Sequence, residues 1–178
     1  MTDLPPPLVP ADADLRDFEY MALEVRLLRD SRFAAQVSGD AFRAGVLLWC
    51  AAWHQVPAGS VPDDDIELAS LAGYGRFVKE WRKVREEALI GFVKCADGRL
   101  YHEVVCKKVR EALDARSRHA YEKCCDRLRK KNAERRKAGR KEHGTPSFDQ
   151  WKSGGFDEGI PPPSDGIPPE DGGKDAEG

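Results

Sequence analysis

The chain has 178 residues, with 31 Asp or Glu against 29 Lys or Arg, and its formal net charge of -2 argues by itself against a nucleic-acid partner. The total hides a segregation: residues 1–75 carry 12 acids and 5 bases, 76–143 carry 22 bases and 11 acids, and 144–178 carry 8 acids and 2 bases, as expected of a basic binding surface with acidic flanks. No run approaches the roughly 18 apolar residues of a membrane span, residues 1–14 lack the basic and apolar stretches of a secretory signal, and five cysteines without a CxxC pair read as reduced thiols in a cytoplasmic protein.

Residues 1–17, opening with four prolines, are expected to be a disordered segment ahead of a folded domain over 18–113. Within that domain, Asp40 to Gln55 reads as a helix. Asp40 is its N-cap candidate, and Phe42, Val46, Trp49, Cys50 and Trp53 form a buried stripe widened by Leu47, Leu48 and Ala52. Turn chemistry from Pro57 to Pro62 ends it. Asp63, Asp64 and Asp65 then open a second helix at its favourable dipole end, with Ile66, Leu68, Ala69, Leu71 and Ala72 as its apolar side, and Gly73-Tyr74-Gly75 closes it.

A third helix is expected over Arg76 to Leu89, because at about 100° per residue Phe77, Trp81, Val84 and Ala88 share one narrow stripe. Lys79, Arg82 and Lys83 then point away from it. Two extended stretches follow, 91–95 and 100–104, joined by Ala96-Asp97-Gly98-Arg99, and Asp-Gly between such runs is a strong hairpin signal. A short strand at Ser60 and Val61 would add to that hairpin. Helix, helix, glycine turn, helix and hairpin is the order of a winged helix-turn-helix.

From Val105 to Ala138 the chain lacks Gly and Pro and is rich in good helix formers. Val105, Val109, Ala112 and Leu113 can pack on the domain. Beyond them the apolar stripe thins to Ala120, Tyr121, Cys124 and Leu128, while residues 107–141 gather 15 Lys or Arg. A basic helical extension over 114–143 is therefore expected, steadied by pairs such as Asp114 with Arg118 and Asp126 with Lys130. Residues 144–178, with 8 of the 16 glycines and 6 of the 12 prolines, read as a disordered acidic tail, in which Gly159-Ile-Pro-Pro162 recurs as Gly166-Ile-Pro-Pro169. The fold class expected is mainly α with a small β-hairpin wing: a winged helix-turn-helix, a long basic helix and a disordered tail.

Arg76, Lys79, Arg82 and Lys83 sit where a recognition helix presents side chains to the major groove, and Arg99 lies at the wing tip within reach of a phosphate. The run Arg127, Arg129, Lys130 and Lys131, with Arg135, Arg136 and Lys137, is dense enough to bind phosphates without reading sequence. DNA, duplex or single-stranded, is the expected partner. His102, Cys106, His119, Cys124 and Cys125 lack the paired spacing of zinc ligands, so no metal is expected. The three aspartates read as helix caps, His54 as a packing residue, and neither a phosphate-cradling glycine loop nor a nucleophile elbow occurs, so no cofactor or catalysis is expected.

Leu23-Glu-Val-Arg-Leu-Leu-Arg-Asp30, Leu48-Trp-Cys-Ala-Ala-Trp-His54, Val61-Pro-Asp-Asp-Asp65, Trp81-Arg-Lys-Val84 and Asp97-Gly-Arg-Leu-Tyr-His102 together resemble the YdaU-like family of phage and prophage proteins, over about Tyr20 to Leu113. That family is a domain of unknown function. The resemblance implies a setting in prophage replication regions and likeness to the winged-helix N-terminal domains of phage replication initiators, with no catalytic residues to carry over. The expected role is then phage DNA replication, with recruitment of a replicative helicase or its loader. A winged-helix transcription regulator and a protein-interaction adaptor that never touches DNA are the alternatives.

Overall fold

The computed structural model describes residues 4–154, and the chain divides after Leu113 into two compact units. The repeated Gly-Ile-Pro-Pro segments lie outside the described residues. Unit 1 is mainly helical, with a small three-stranded antiparallel sheet.

In chain order unit 1 holds α1 (Val25–Arg29), α2 (Arg32–Gln36), α3 (Gly39–Trp53), β1 (Ser60–Val61), α4 (Asp65–Leu71), α5 (Val78–Ala88), β2 (Phe92–Lys94) and β3 (Leu100–His102). Helix α6 (Glu103–Lys137) begins in unit 1 and continues into unit 2, and α7 (Phe148–Gly154) belongs to unit 2. Among the described residues no helix is long and apolar enough to cross a membrane.

Ser38, not Asp40, caps α3: its hydroxyl accepts from Ala41 N at 3.3 Å, and its own backbone N–H donates to Glu87 Oε2 of α5 at 2.8 Å. The buried face of α3 is accordingly Ala41, Ala44, Gly45, Leu48, Trp49, Ala52 and Trp53, while Cys50 is exposed. The large apolar residues suggest a different stripe, but the small ones decide the packing. A Cβ at Gly45 would lie 3.0 Å from Ala88 O and 2.4 Å from Phe33 Cζ, so glycine is what lets α2 and α5 approach α3.

Only two residues of the expected α5 stripe, Trp81 and Ala88, are fully buried; Val84 is half-buried. Phe77 precedes the first helical turn, occupies the N-cap position, and is 59% exposed. Ile66, expected on the apolar side of α4, is 68% exposed, leaving Leu68, Ala69 and Ala72 to face the core.

The sheet order is β1-β3-β2, with Ser60 opposite Tyr101 and Phe92 opposite His102. The turn works because Gly98 takes φ +80, which a β-carbon would disfavour, and because Asp97 accepts both Arg99 N at 3.1 Å and the Tyr101 hydroxyl at 2.6 Å. Val104 does not extend β3, since α6 has already begun.

Residues 4–17 depart from the expected disorder. Val9, Ala13 and Leu15 are buried in the same core as Trp53 and Val109. Backbone bonds fix the arm at Ala96 N to Pro5 O (2.9 Å) and Ala58 N to Ala13 O (2.8 Å), and Arg110 Nη1 donates to Leu8 O at 2.8 Å. Prolines lower the entropy that such a segment loses on ordering, so three apolar anchors suffice.

Unit 2 also differs. The stripe Cys124, Leu128 and Asn132 is buried, and the chain turns back after Gly139 to form α7. The ring of Tyr121 meets Phe148 at 5.5 Å and Trp151 at 5.9 Å between centroids. The Asn132 amide donates to His143 O at 2.8 Å and accepts from His143 N at 2.7 Å. Thus residues 144–154, expected as the start of a disordered tail, include a short helix packed on the stripe. Asp114 pairs with Lys152 rather than Arg118, and Asp126 with Arg129 rather than Lys130.

Candidate nucleic-acid interface

The three aspartates ahead of α4 divide their work. Asp64 is the cap, its Oδ1 accepting from Ile66 N at 2.9 Å and Glu67 N at 3.0 Å. Asp63 and Asp65 instead reach the next helix and the sheet. Asp63 takes Arg85 at 2.7 Å and Lys94 at 2.8 Å, while Asp65 takes Arg82 at 2.7 Å, Arg85 at 3.0 Å and the Trp81 indole N–H at 3.2 Å. The bond from Arg82 is the main reason that the Asp65 carboxyl titrates below its usual range. Capping therefore accounts for one aspartate, and ion pairing for the other two.

This network alters the expected DNA surface. Arg82 is paired with Asp65 and Lys83 with Glu80 at 2.6 Å, exposed pairs that a phosphate would have to compete with. Arg99 is turned inward, away from a wing-tip role: its guanidinium donates to Ser60 Oγ at 2.8 Å and Gln55 Oε1 at 3.3 Å. Lys79 is exposed, and its side chain makes no ion pair or hydrogen bond among the described residues. Arg76 is exposed, its guanidinium 5.4 Å from the centre of the Phe77 ring. Around one shallow hollow lie Ile66, Phe77, Arg76, Lys79, Arg82 and Glu80. Sequence periodicity assigned Ile66 and Phe77 to the core; the clue to their exposure is their position at helix starts, where stripes are least reliable.

In unit 2 the bases sort by partner. Arg129 is held by Asp126, Arg136 by Glu142 at 2.7 Å, and Arg135 donates to Lys141 O at 2.5 Å. Arg127 donates to Lys123 O at 3.3 Å. Lys123, Lys130, Lys131 and Lys137 are exposed and make no ion pair or hydrogen bond through their side chains among the described residues. Lys123, Lys130 and Lys137 recur every seventh residue, so they line one edge of α6, roughly opposite Leu128, at intervals of about 10 Å.

Among the described residues no cluster of His, Cys, Asp or Glu is placed to hold a metal. His102 is buried against Trp49 and Phe92, at 4.7 and 4.9 Å between ring centres, and burial lowers its pKa to about 4. Burial pushes the Cys106 thiol up to about 12, so it is held as an inert thiol. His54 is exposed, with its Nε2 2.7 Å from Phe18 O.

Residues 19–110 match a family described as "Protein of unknown function (DUF1376)". No curated protein and no solved structure matches the chain.

Proposed function

The chain belongs to the DUF1376 family of proteins of unknown function, and from that premise we propose that it binds nucleic acid, with the lysine edge of α6 supplying most of the attraction. The observation that carries this reading is the set of exposed lysines, Lys123, Lys130, Lys131 and Lys137, on a helix where Asp114, Asp126 and Glu142 hold other bases and Glu134 is a carboxylate on the lysine edge itself. Exposed lysines with no internal ion pair are free to neutralise backbone phosphates and release the counterions condensed on the nucleic acid.

Unit 1 supports the same reading through its element order. Helix α3, strand β1, helices α4 and α5, and the β2-β3 hairpin follow one another as in a winged helix-turn-helix, and the basic start of α5 is exposed. The setting we propose is phage or prophage DNA replication, by resemblance to the YdaU-like proteins, with a replicative helicase or its loader as partner.

The test is a salt titration of binding to random duplex and single-stranded DNA. Replacing Lys123, Lys130 and Lys137 with alanine should weaken binding and make the log K against log salt slope shallower by about 0.7 to 0.9 per lost phosphate contact. An unchanged slope, or no binding by the native chain at low salt, would sink the proposal.

An adaptor reading has one observation in its favour. Leu23, Leu27, Leu28, Phe33, Trp49 and Ile90 line a cavity of about 170 Å³ in unit 1, large enough for one aromatic side chain of a partner.

A further inference from the structure

We infer that the hollow at the start of α5 takes single-stranded nucleic acid: an unpaired base stacks on Phe77 beside Ile66, while Arg76 and Lys79 hold the adjoining phosphates. This deepens the nucleic-acid reading above and rests on it.

Two large apolar side chains stand exposed at one place, Phe77 at 59% and Ile66 at 68%. Both border a hollow whose other walls include Arg76, Lys79, Arg82 and Glu80, the last paired with Lys83. An apolar face with the cations of Arg76 and Lys79 beside it suits a ligand with flat apolar surfaces on an anionic backbone, and aromatic platforms within basic grooves are how proteins hold single strands. The Phe77 ring already accepts one planar cation, the Arg76 guanidinium, at 5.4 Å, and a base can stack on such a ring or on the guanidinium itself.

The same face is poorly equipped for a duplex. Major-groove reading needs polar side chains free to reach base edges, yet Arg82 is engaged by Asp65 and Lys83 by Glu80. Glu86 and Glu87 are exposed further along α5 and would repel a second strand. A wing contact would need Arg99, which is turned toward Ser60 and Gln55. Two bases and one ring match a few nucleotides of one strand, in which bases are already unstacked and no pairing has to be broken.

The experiment measures binding of the full chain to fluorescent oligothymidine and to a duplex of random sequence, at low salt, for the native protein and for Phe77→Ala, Phe77→Leu and Phe77→Trp. Phe77 lies on the surface, so these variants leave the core intact. Phe77→Ala and Phe77→Leu should weaken oligothymidine binding by about 5- to 150-fold, the range for one base–aromatic stack, and leave duplex binding unchanged. Phe77→Trp should retain single-strand affinity.

Equal losses on both nucleic acids would overturn the single-strand assignment in favour of duplex contact. No change with Phe77→Ala, where the Lys123, Lys130 and Lys137 variant still loses affinity, would overturn this inference while the proposed function stands; the patch would then fit an acidic, apolar protein segment. Failure of the native chain to bind either nucleic acid would overturn both.

Discussion

The indole N–H of Trp81 donates to Asp65 Oδ1 across 3.2 Å, so the buried aromatic of α5 is tied by its one polar edge to the first turn of α4. The other Asp65 oxygen holds Arg82. One carboxylate thus fixes the angle between two helices and also neutralises a base on the exposed side of α5. Stability and charge display are coupled at this residue.

Asp65→Ala should therefore have opposite effects in two assays. It leaves the Trp81 donor without its acceptor and Arg82 and Arg85 without one carboxylate, costing about 1–2 kcal/mol in thermal or urea unfolding. It also frees Arg82, so nucleic-acid affinity at low salt should rise. Asp65→Asn, which keeps an acceptor for Trp81, should lose less stability and gain similar affinity. Loss of stability with no gain in affinity would show that Arg82 does not face the ligand.

Acid sensitivity should appear in two separate windows. His102 is held neutral with a folded pKa of about 4 against an ordinary value of 6.5, so the unfolded chain binds the extra proton first as pH falls. Stability is full above about pH 6.5 and declines toward pH 4, by on the order of 3 kcal/mol in total. Asp65 has the opposite displacement relative to its charged form, and its contribution is lost only at lower pH, as its carboxylate is protonated. Melting temperatures measured from pH 7 to 4 should fall more for the native protein than for His102→Gln, which keeps only the loss from carboxylates such as Glu24 and Glu87 near the acid end; an equal fall in both would assign the acid response elsewhere.

Leu15→Ala should cost about 2–4 kcal/mol, the usual penalty for truncating a buried leucine, because Leu15 is fully buried in the unit 1 core. Equilibrium unfolding checks it, and a cost below about 0.5 kcal/mol, typical of surface positions, would mean that the arm does not stay seated.

What could be read from the sequence was local. The extents of α3 and α5, the Asp97-Gly98 hairpin and the long helix α6 follow from periodicity and turn chemistry within a few neighbouring residues. Even the brief β1 strand pairs as expected, Val61 lying opposite Leu100. Errors arose where distant residues decide. Phe77 matches the spacing of Trp81, yet α5 starts one residue later, so its ring lies outside the helix. The partners of Arg82, Arg85 and Lys94 are 17 to 31 positions away, beyond any spacing rule, so the ion pair that engages Arg82, an expected DNA ligand, could not be read from the sequence. The arm and the return segment look disordered by composition because a few anchors, Leu15 in one and Phe148 and Trp151 in the other, carry the burial for many polar neighbours.

Asn132 grips His143 through both faces of its amide, and this bears on the thermodynamics of whatever the α6 lysines meet. A basic helix that folded only on contact would lose chain entropy in the act and bury new apolar surface, giving a large negative heat-capacity change. Here the support is folded beforehand, its stripe already covered by α7. On the proposed reading, association at the α6 lysines proceeds by ion release, driven by the entropy of the displaced counterions, with little heat-capacity signature from this helix and with a rate set by collision and ionic strength.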